Sequence, residues 1–294
     1  MNFQIISDGA CDLLKAYTDR NDVKIVPFYV TFDGKNYMKE GEGITHDEFY
    51  RRMAENHEIP KSSLPSVGDF YDAFLPYAEA STPIICVCIS SCFSGSFNSA
   101  STAKEQIIEQ YPDAKIEVID STLNTMSEAL LVNELVNMRN DNVSFEDAIK
   151  YANDIKNTGK IYFTVGSLEY LIKNGRIGKV ATIAGDKLGI KPIIIMSDGD
   201  ISLGGISRTT KKAKLSIIKL LQKTFSNPSI NINDYRFLVG TGFQFEEAAE
   251  FKISVEEALH IKCEDTIESC VGTTVGCHTG PYPLGLAFIK KYNA

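Results

Sequence analysis

The chain is short of basic residues, with 30 Lys and Arg against 38 Asp and Glu and a formal net charge of -8. That balance argues against a nucleic-acid or anionic-membrane surface, either of which needs a clustered basic face. Nowhere do roughly 18 apolar residues run together, the length a bilayer-spanning helix requires. Seven cysteines, an odd number in 294 residues, do not make a disulfide framework, and no C-x-x-C pairs are set out for zinc. Free thiols suit a reducing compartment, and the first residues lack a leader pattern, so a cytoplasmic protein is expected. There is no Gly-x-Ser-x-Gly elbow of the serine hydrolases and no His-x-x-x-His for a metal, so no metal ligand is assigned.

What is present is an ordinary globular composition, 44% hydrophobic and 23% charged, in a chain long enough for two domains. Apolar runs at 3–6, 23–32, 84–89 and 116–119 alternate with helical patterns at 46–56, 67–78, 97–110 and 124–138. Such alternation predicts crossover units and a parallel sheet. Beyond Lys156 the pattern changes to strand-like runs at 161–165, 190–196, 201–207, 235–241, 270–276 and 286–290, with helices at 211–225 and 245–260. Ser197-Asp198-Gly199-Asp200 reads as a hairpin turn. The expected fold is α/β, with a parallel-sheet domain over 1–157 and a mixed or antiparallel sheet with helices over 158–294.

Between Ile84 and Ala100 an apolar run empties into Ser90-Ser91-Cys92-Phe93-Ser94-Gly95-Ser96 and resumes at helical spacing. A helix start offers unpaired N–H groups and the positive end of the dipole, and the serines add hydroxyls. No lysine stands in this loop, so it is not a triphosphate cradle; it suits a small oxyanion head, or Ser90 or Ser94 simply caps the helix. Ser7-Asp8, Ser90-Ser91 and Asp120-Ser121 each end a strand-like run, where parallel sheets bind ligands. His278 stands in a glycine- and proline-rich stretch, Val-Gly-Cys-His-Thr-Gly-Pro-Tyr-Pro, after a strand-like run. Ser62 and Ser63 fall in a loop before the helix at Val67, with Ser66 as its cap. Arg176 follows the helix stop Asn174-Gly175, placed either for a ligand or for a surface carboxylate.

Seven segments in order resemble the DegV family: Ile-Ser-Asp-Gly-Ala-Cys-Asp-Leu at 6–13, Ser-Ser-Leu-Pro-Ser at 62–66, the serine loop at 89–100, Ile-Asp-Ser at 119–121, Ser-Leu-Glu-Tyr-Leu-Ile-Lys-Asn-Gly-Arg-Ile-Gly at 167–178, Gly-Ile-Lys-Pro-Ile at 189–193 and His-Thr-Gly-Pro at 278–281. Ser62 stands where the family more often has threonine. Cys92-Phe93 stands for Gly-Leu, Tyr282-Pro283 for Gly-Ala, and Thr125-Met126-Ser127-Glu128-Ala129 for Ser-x-Gly-x-Gly.

The resemblance implies a long-chain fatty acid in an apolar tunnel between the two domains, bound without a cofactor and without catalysis. Its carboxylate would meet Ser62, Ser63, Ser91, Ser94, Gly95, Arg176 and His278, with Phe93 and Tyr282 at the tunnel or its mouth. The partner implied is a separate fatty-acid kinase that brings ATP and magnesium and forms an acyl phosphate. Two other readings of the residues stand beside it: a serine-dependent esterase using Ser94 and His278, and a module for a small phosphorylated metabolite.

Overall fold

The computed structural model describes residues 2–183, 189–267 and 270–294. In chain order its elements are β1 (Gln4–Asp8), α1 (Lys15–Arg20), β2 (Val23–Val26), β3 (Tyr29–Thr31), β4 (Met38–Lys39), α2 (His46–Asn56), β5 (Lys61–Ser63), α3 (Val67–Glu79), β6 (Ile84–Cys88), α4 (Ser96–Gln110), β7 (Ile116–Asp120), α5 (Thr125–Asn140) and α6 (Phe145–Lys156). They continue with β8 (Lys160–Thr164), α7 (Glu169–Lys173), β9 (Lys191–Ser197), β10 (Asp200–Ser207), α8 (Thr210–Phe225), β11 (Tyr235–Thr241), α9 (Phe245–Leu259), α10 (Thr273–Thr279) and β12 (Leu284–Lys290).

The N-terminal strands form a parallel sheet in the order β2-β1-β6-β7. β1 and β6 are buried throughout, as strands covered on both faces must be. Successive side chains of β6 point to opposite faces. Cys86 and Cys88 meet Phe70 and Phe74 of α3 and Ala100 and Ala103 of α4, whereas Ile85 and Val87 face α5. The second sheet, β10-β9-β8-β12-β11, is antiparallel at every pairing. α8 and α9 cover one of its faces through Ile217, Leu221, Phe251 and Val255, and its other face also meets α5.

α5 is thus shared by both sheets, and all of it is buried except Asn137 and Asn140. Its Leu131 and Leu135 pack in one cluster with Ile5 of β1 and Ile289 of β12. Truncating either leucine to alanine costs about 2–5 kcal/mol in a site that cannot collapse. Glu134 is accommodated in this apolar setting by Arg236, which also reaches Glu264 at 2.8 Å, and by the Tyr292 N–H at 2.8 Å.

Three local expectations are corrected. The run 23–32 is two strands, because Pro27 has no N–H for the ladder; β3 leaves the parallel sheet and joins a small antiparallel one, β4-β3-β5. Ser62 and Ser63 sit on β5, the edge strand of that sheet, and not in a loop. The run 270–276 is not a strand: α10 starts at Thr273, and His278 lies in its last turn. The hairpin at 197–200 forms as expected, with Asp198 and Gly199 at φ 53° and 81°, the paired left-handed residues of a type I′ turn.

Candidate functional site

The strand ends Asp8, Ser90-Ser91 and Asp120-Ser121 do converge, and what they hold is the serine loop itself. Asp8 accepts from Ser96 Oγ at 2.6 Å, from Ile89 N–H at 3.0 Å and from Ala10 N–H at 3.2 Å. Asp120 accepts from Ser91 N–H at 3.1 Å, and Ser90 Oγ donates to the Gly199 carbonyl in the β9–β10 turn at 2.8 Å. Burial outweighs these bonds and pushes the Asp8 carboxyl up to about 6. So tethered, the loop turns Ser94 inward, where its Oγ accepts from Ser96 N–H at 3.2 Å, and Gly95 becomes the N-cap of α4.

α10 is held by Glu40, a residue that no sequence signal singled out. Its carboxylate accepts from Thr273 Oγ at 2.6 Å and from the N–H and Oγ of Thr274, both at 3.1 Å. A carboxylate on the first turn satisfies orphan donors and complements the dipole. Gly276 brings the helix against Tyr50, whose hydroxyl would lie 2.6 Å from any Cβ there. At the other end Asn174 Nδ2 donates to the Cys277 carbonyl at 2.7 Å and to the Pro60 carbonyl at 3.2 Å, tying α7, α10 and the approach to β5 together.

These anchors bring Ser62 Oγ within 3.1 Å of His278 Nε2. Arg176 donates to the carbonyls of Asn174 at 2.8 Å and Phe93 at 3.3 Å. Burial, with the Arg176 charge adding to it, lowers His278 to about 4, so the imidazole is neutral at neutral pH. His278 Nδ1 has no hydrogen-bond partner. Among the described residues no carboxylate reaches the ring and no hydrogen bond joins it to Ser94, so the Ser94–His278 pair of a serine esterase is not formed here; the hydroxyl on the ring is that of Ser62.

The group opens on a cavity of about 180 Å³ lined by Ser62, Ser63, Ser94, Arg176 and His278 together with Phe28, Leu64, Ile89, Phe93, Phe163, Leu171, Ile201 and Val275, and with Asn124, Thr274 and Thr279. Arg176 carries the one formal charge on this wall among the described residues, provided His278 is neutral. Ser91, Gly95 and Tyr282 stand outside the lining. Tyr282 covers Gly166 at the end of β8, 39% exposed. A smaller cavity of about 30 Å³ adjoins the first, with Asn124, Phe163, Val275 and Thr279 on both walls.

Comparison with known proteins gives one consistent result. The family described as "Uncharacterised protein, DegV family" matches residues 2–291. A DegV domain-containing protein of Clostridium acetobutylicum is 31% identical over 288 residues, 98% of each chain. The crystal structure of a stearic-acid-binding protein from Eubacterium ventriosum superposes with a TM-score of 0.95 at 46% identity, over 99% of each chain. A fatty-acid-binding DegV family protein of Thermus thermophilus shares the fold, with a TM-score of 0.87 at 23% identity over 99% of this chain and 100% of that one.

Proposed function

The chain belongs to the DegV family, and on that footing we propose that it binds a long-chain fatty acid in the cavity, its carboxylate at Ser62, Ser63, Ser94, His278 and Arg176. The observation that carries the reading is the chemistry of the wall: the hydroxyls of Ser62, Ser63 and Ser94, the neutral imidazole of His278 and the Arg176 cation, on a wall otherwise mostly apolar apart from Asn124, Thr274 and Thr279. Solved members of the family are described as fatty-acid-binding proteins, including the 46% identical stearic-acid-binding relative. Burying roughly 14 to 16 methylenes at about 0.8 kcal/mol each offers on the order of 11 to 13 kcal/mol before association costs. A hydrogen bond to a charged group adds about 1.5 to 3 kcal/mol, so the tail sets affinity and the head group sets orientation.

The same proposal makes the chain a carrier and not a catalyst. The carboxylate is presented to a separate kinase, where a carboxylate oxygen attacks the γ-phosphorus of ATP and ADP leaves; ATP and magnesium belong to that partner. Arg176, exposed beside the serine loop, is suited to the added charge of an acyl phosphate. The division near residues 157 and 158 falls between α6 and β8, and a cytoplasmic setting accords with seven free cysteines.

The test is a titration of delipidated protein with a fatty acid and with its methyl ester. Tight binding of the acid and at least about tenfold weaker binding of the ester are expected, since the ester loses the charged head. Equal binding of both would move the carboxylate away from these residues; binding of neither would remove the ligand.

A further inference from the structure

The smaller cavity adjoins the first and, among the described residues, carries no charged side chain on its wall. It offers a carboxylate no cation, and its polar side chains are Asn124, Thr125 and Thr279 among mostly apolar neighbours, so in the fatty-acid reading, on which this inference rests, the carboxylate stays with Arg176 and the smaller cavity takes the other end of the ligand. Its floor is a cross-strand row: Gly240 of β11 opposes Gly285 of β12, which opposes Phe163 of β8. Residues directly opposite in antiparallel strands share a face. A Cβ on Gly285 would stand 2.5 Å from Phe163 Cβ, and one on Gly240 would stand 2.1 Å from Met126 Sδ. The two missing side chains therefore let Phe163 close on Gly285 and let the Met126 thioether, reaching down from the first turn of α5, lie directly on the sheet over Gly240, both on the wall of this cavity. Phe163, half-buried and common to both walls, stands at the junction of the two cavities.

We propose that the smaller cavity seats the terminal carbons of the acyl chain and that Met126 over Gly240 is the stop that sets acyl chain length. Methionine suits the position: three rotatable bonds and a polarisable sulfur fill the space over Gly240 and yield to a chain that reaches it. α5 packs against both sheets and α6 and is buried along almost its whole length, so the stop moves by rotation of the Met126 side chain and not by shift of the helix.

The experiment titrates delipidated wild type, Met126→Ala and Met126→Leu with a homologous series of saturated fatty acids. In wild type, affinity rises about fourfold with each added methylene, the equivalent of about 0.8 kcal/mol, until the tail meets the stop, and then breaks. Met126→Ala moves that break to longer acids by about two carbons, the room freed by the lost side chain, and Met126→Leu moves it less. The conservative leucine variant keeps the test in hand if alanine weakens the fold. If all three bind fatty acids and break at the same length, Met126 is not the stop while the fatty-acid reading stands. If none binds any member of the series, that reading and the chain-length stop fall together.

Discussion

Ser62 and His278, 216 positions apart in sequence, meet with Oγ and Nε2 at 3.1 Å. The contact is the product of two separate anchors, the pairing of β5 with β3 and the grip of Glu40 on α10. It joins the two stretches of chain that frame the head-group end of the cavity.

Replacing Ser62 by alanine removes a hydroxyl and little volume. Affinity for a fatty acid is expected to fall by about ten- to a hundredfold, the worth of one hydrogen bond to a charged group, while affinity for the methyl ester falls much less. Equal losses for acid and ester in the titration would show that Ser62 acts through the shape of the wall instead.

Glu40→Ala takes the acceptor from two threonine hydroxyls and a helix N–H in a buried setting. Urea unfolding is expected to show a loss of about 1–3 kcal/mol, and fatty-acid affinity is expected to fall too because α10 carries His278. Glu40→Gln keeps one acceptor oxygen and should lose less on both counts. A Glu40→Ala protein with unchanged stability would separate α10 from this carboxylate.

Four carboxyls, those of Asp8, Asp12, Glu128 and the partly buried Glu40, have no cation among their hydrogen-bond partners within the described residues, and burial raises all four. Repulsion from neighbouring carboxylates adds to the rise at Asp12 and Glu128. The folded state therefore holds protons that the unfolded state gives up. For Asp8, raised from 3.8 to about 6, the contribution is fully present below pH 3.8 and is lost as pH rises through about 6, on the order of 3 kcal/mol. Asp12→Asn removes a group of the same sign. Its stability relative to wild type should grow from acidic to neutral pH; a difference constant with pH in urea unfolding would contradict the assignment.

His278 works in the opposite sense. Its proton affinity is lowered from 6.5 to about 4, so its contribution is fully present above pH 6.5 and is lost as pH falls toward 4. His278→Asn should therefore gain on wild type as the solution is acidified across that window, by an amount on the order of 3 kcal/mol. No change in the difference would mean that the imidazole is hydrated.

Much of this architecture was legible in the sequence. Alternating apolar runs and helical periods marked the parallel sheet, and Asp198-Gly199 marked the β9–β10 hairpin. His278, Ser62, Ser94, Arg176 and Phe93 were singled out and do line one cavity. α10 was not legible, because Val271, Thr273, Thr274 and Val275 favour a strand locally, and the helix depends on Glu40, more than two hundred residues away. Nor were Leu64, Asn124, Phe163 and Thr274 legible as wall residues. Each is an ordinary member of its own strand, helix or turn and becomes part of the site only when separate elements are brought together.

The most direct measurement is mass spectrometry of an organic extract of the protein purified from cells under native conditions. A near-stoichiometric long-chain fatty acid is expected. A clean extract that stays clean after incubation with mixed fatty acids would contradict the binding role at its centre.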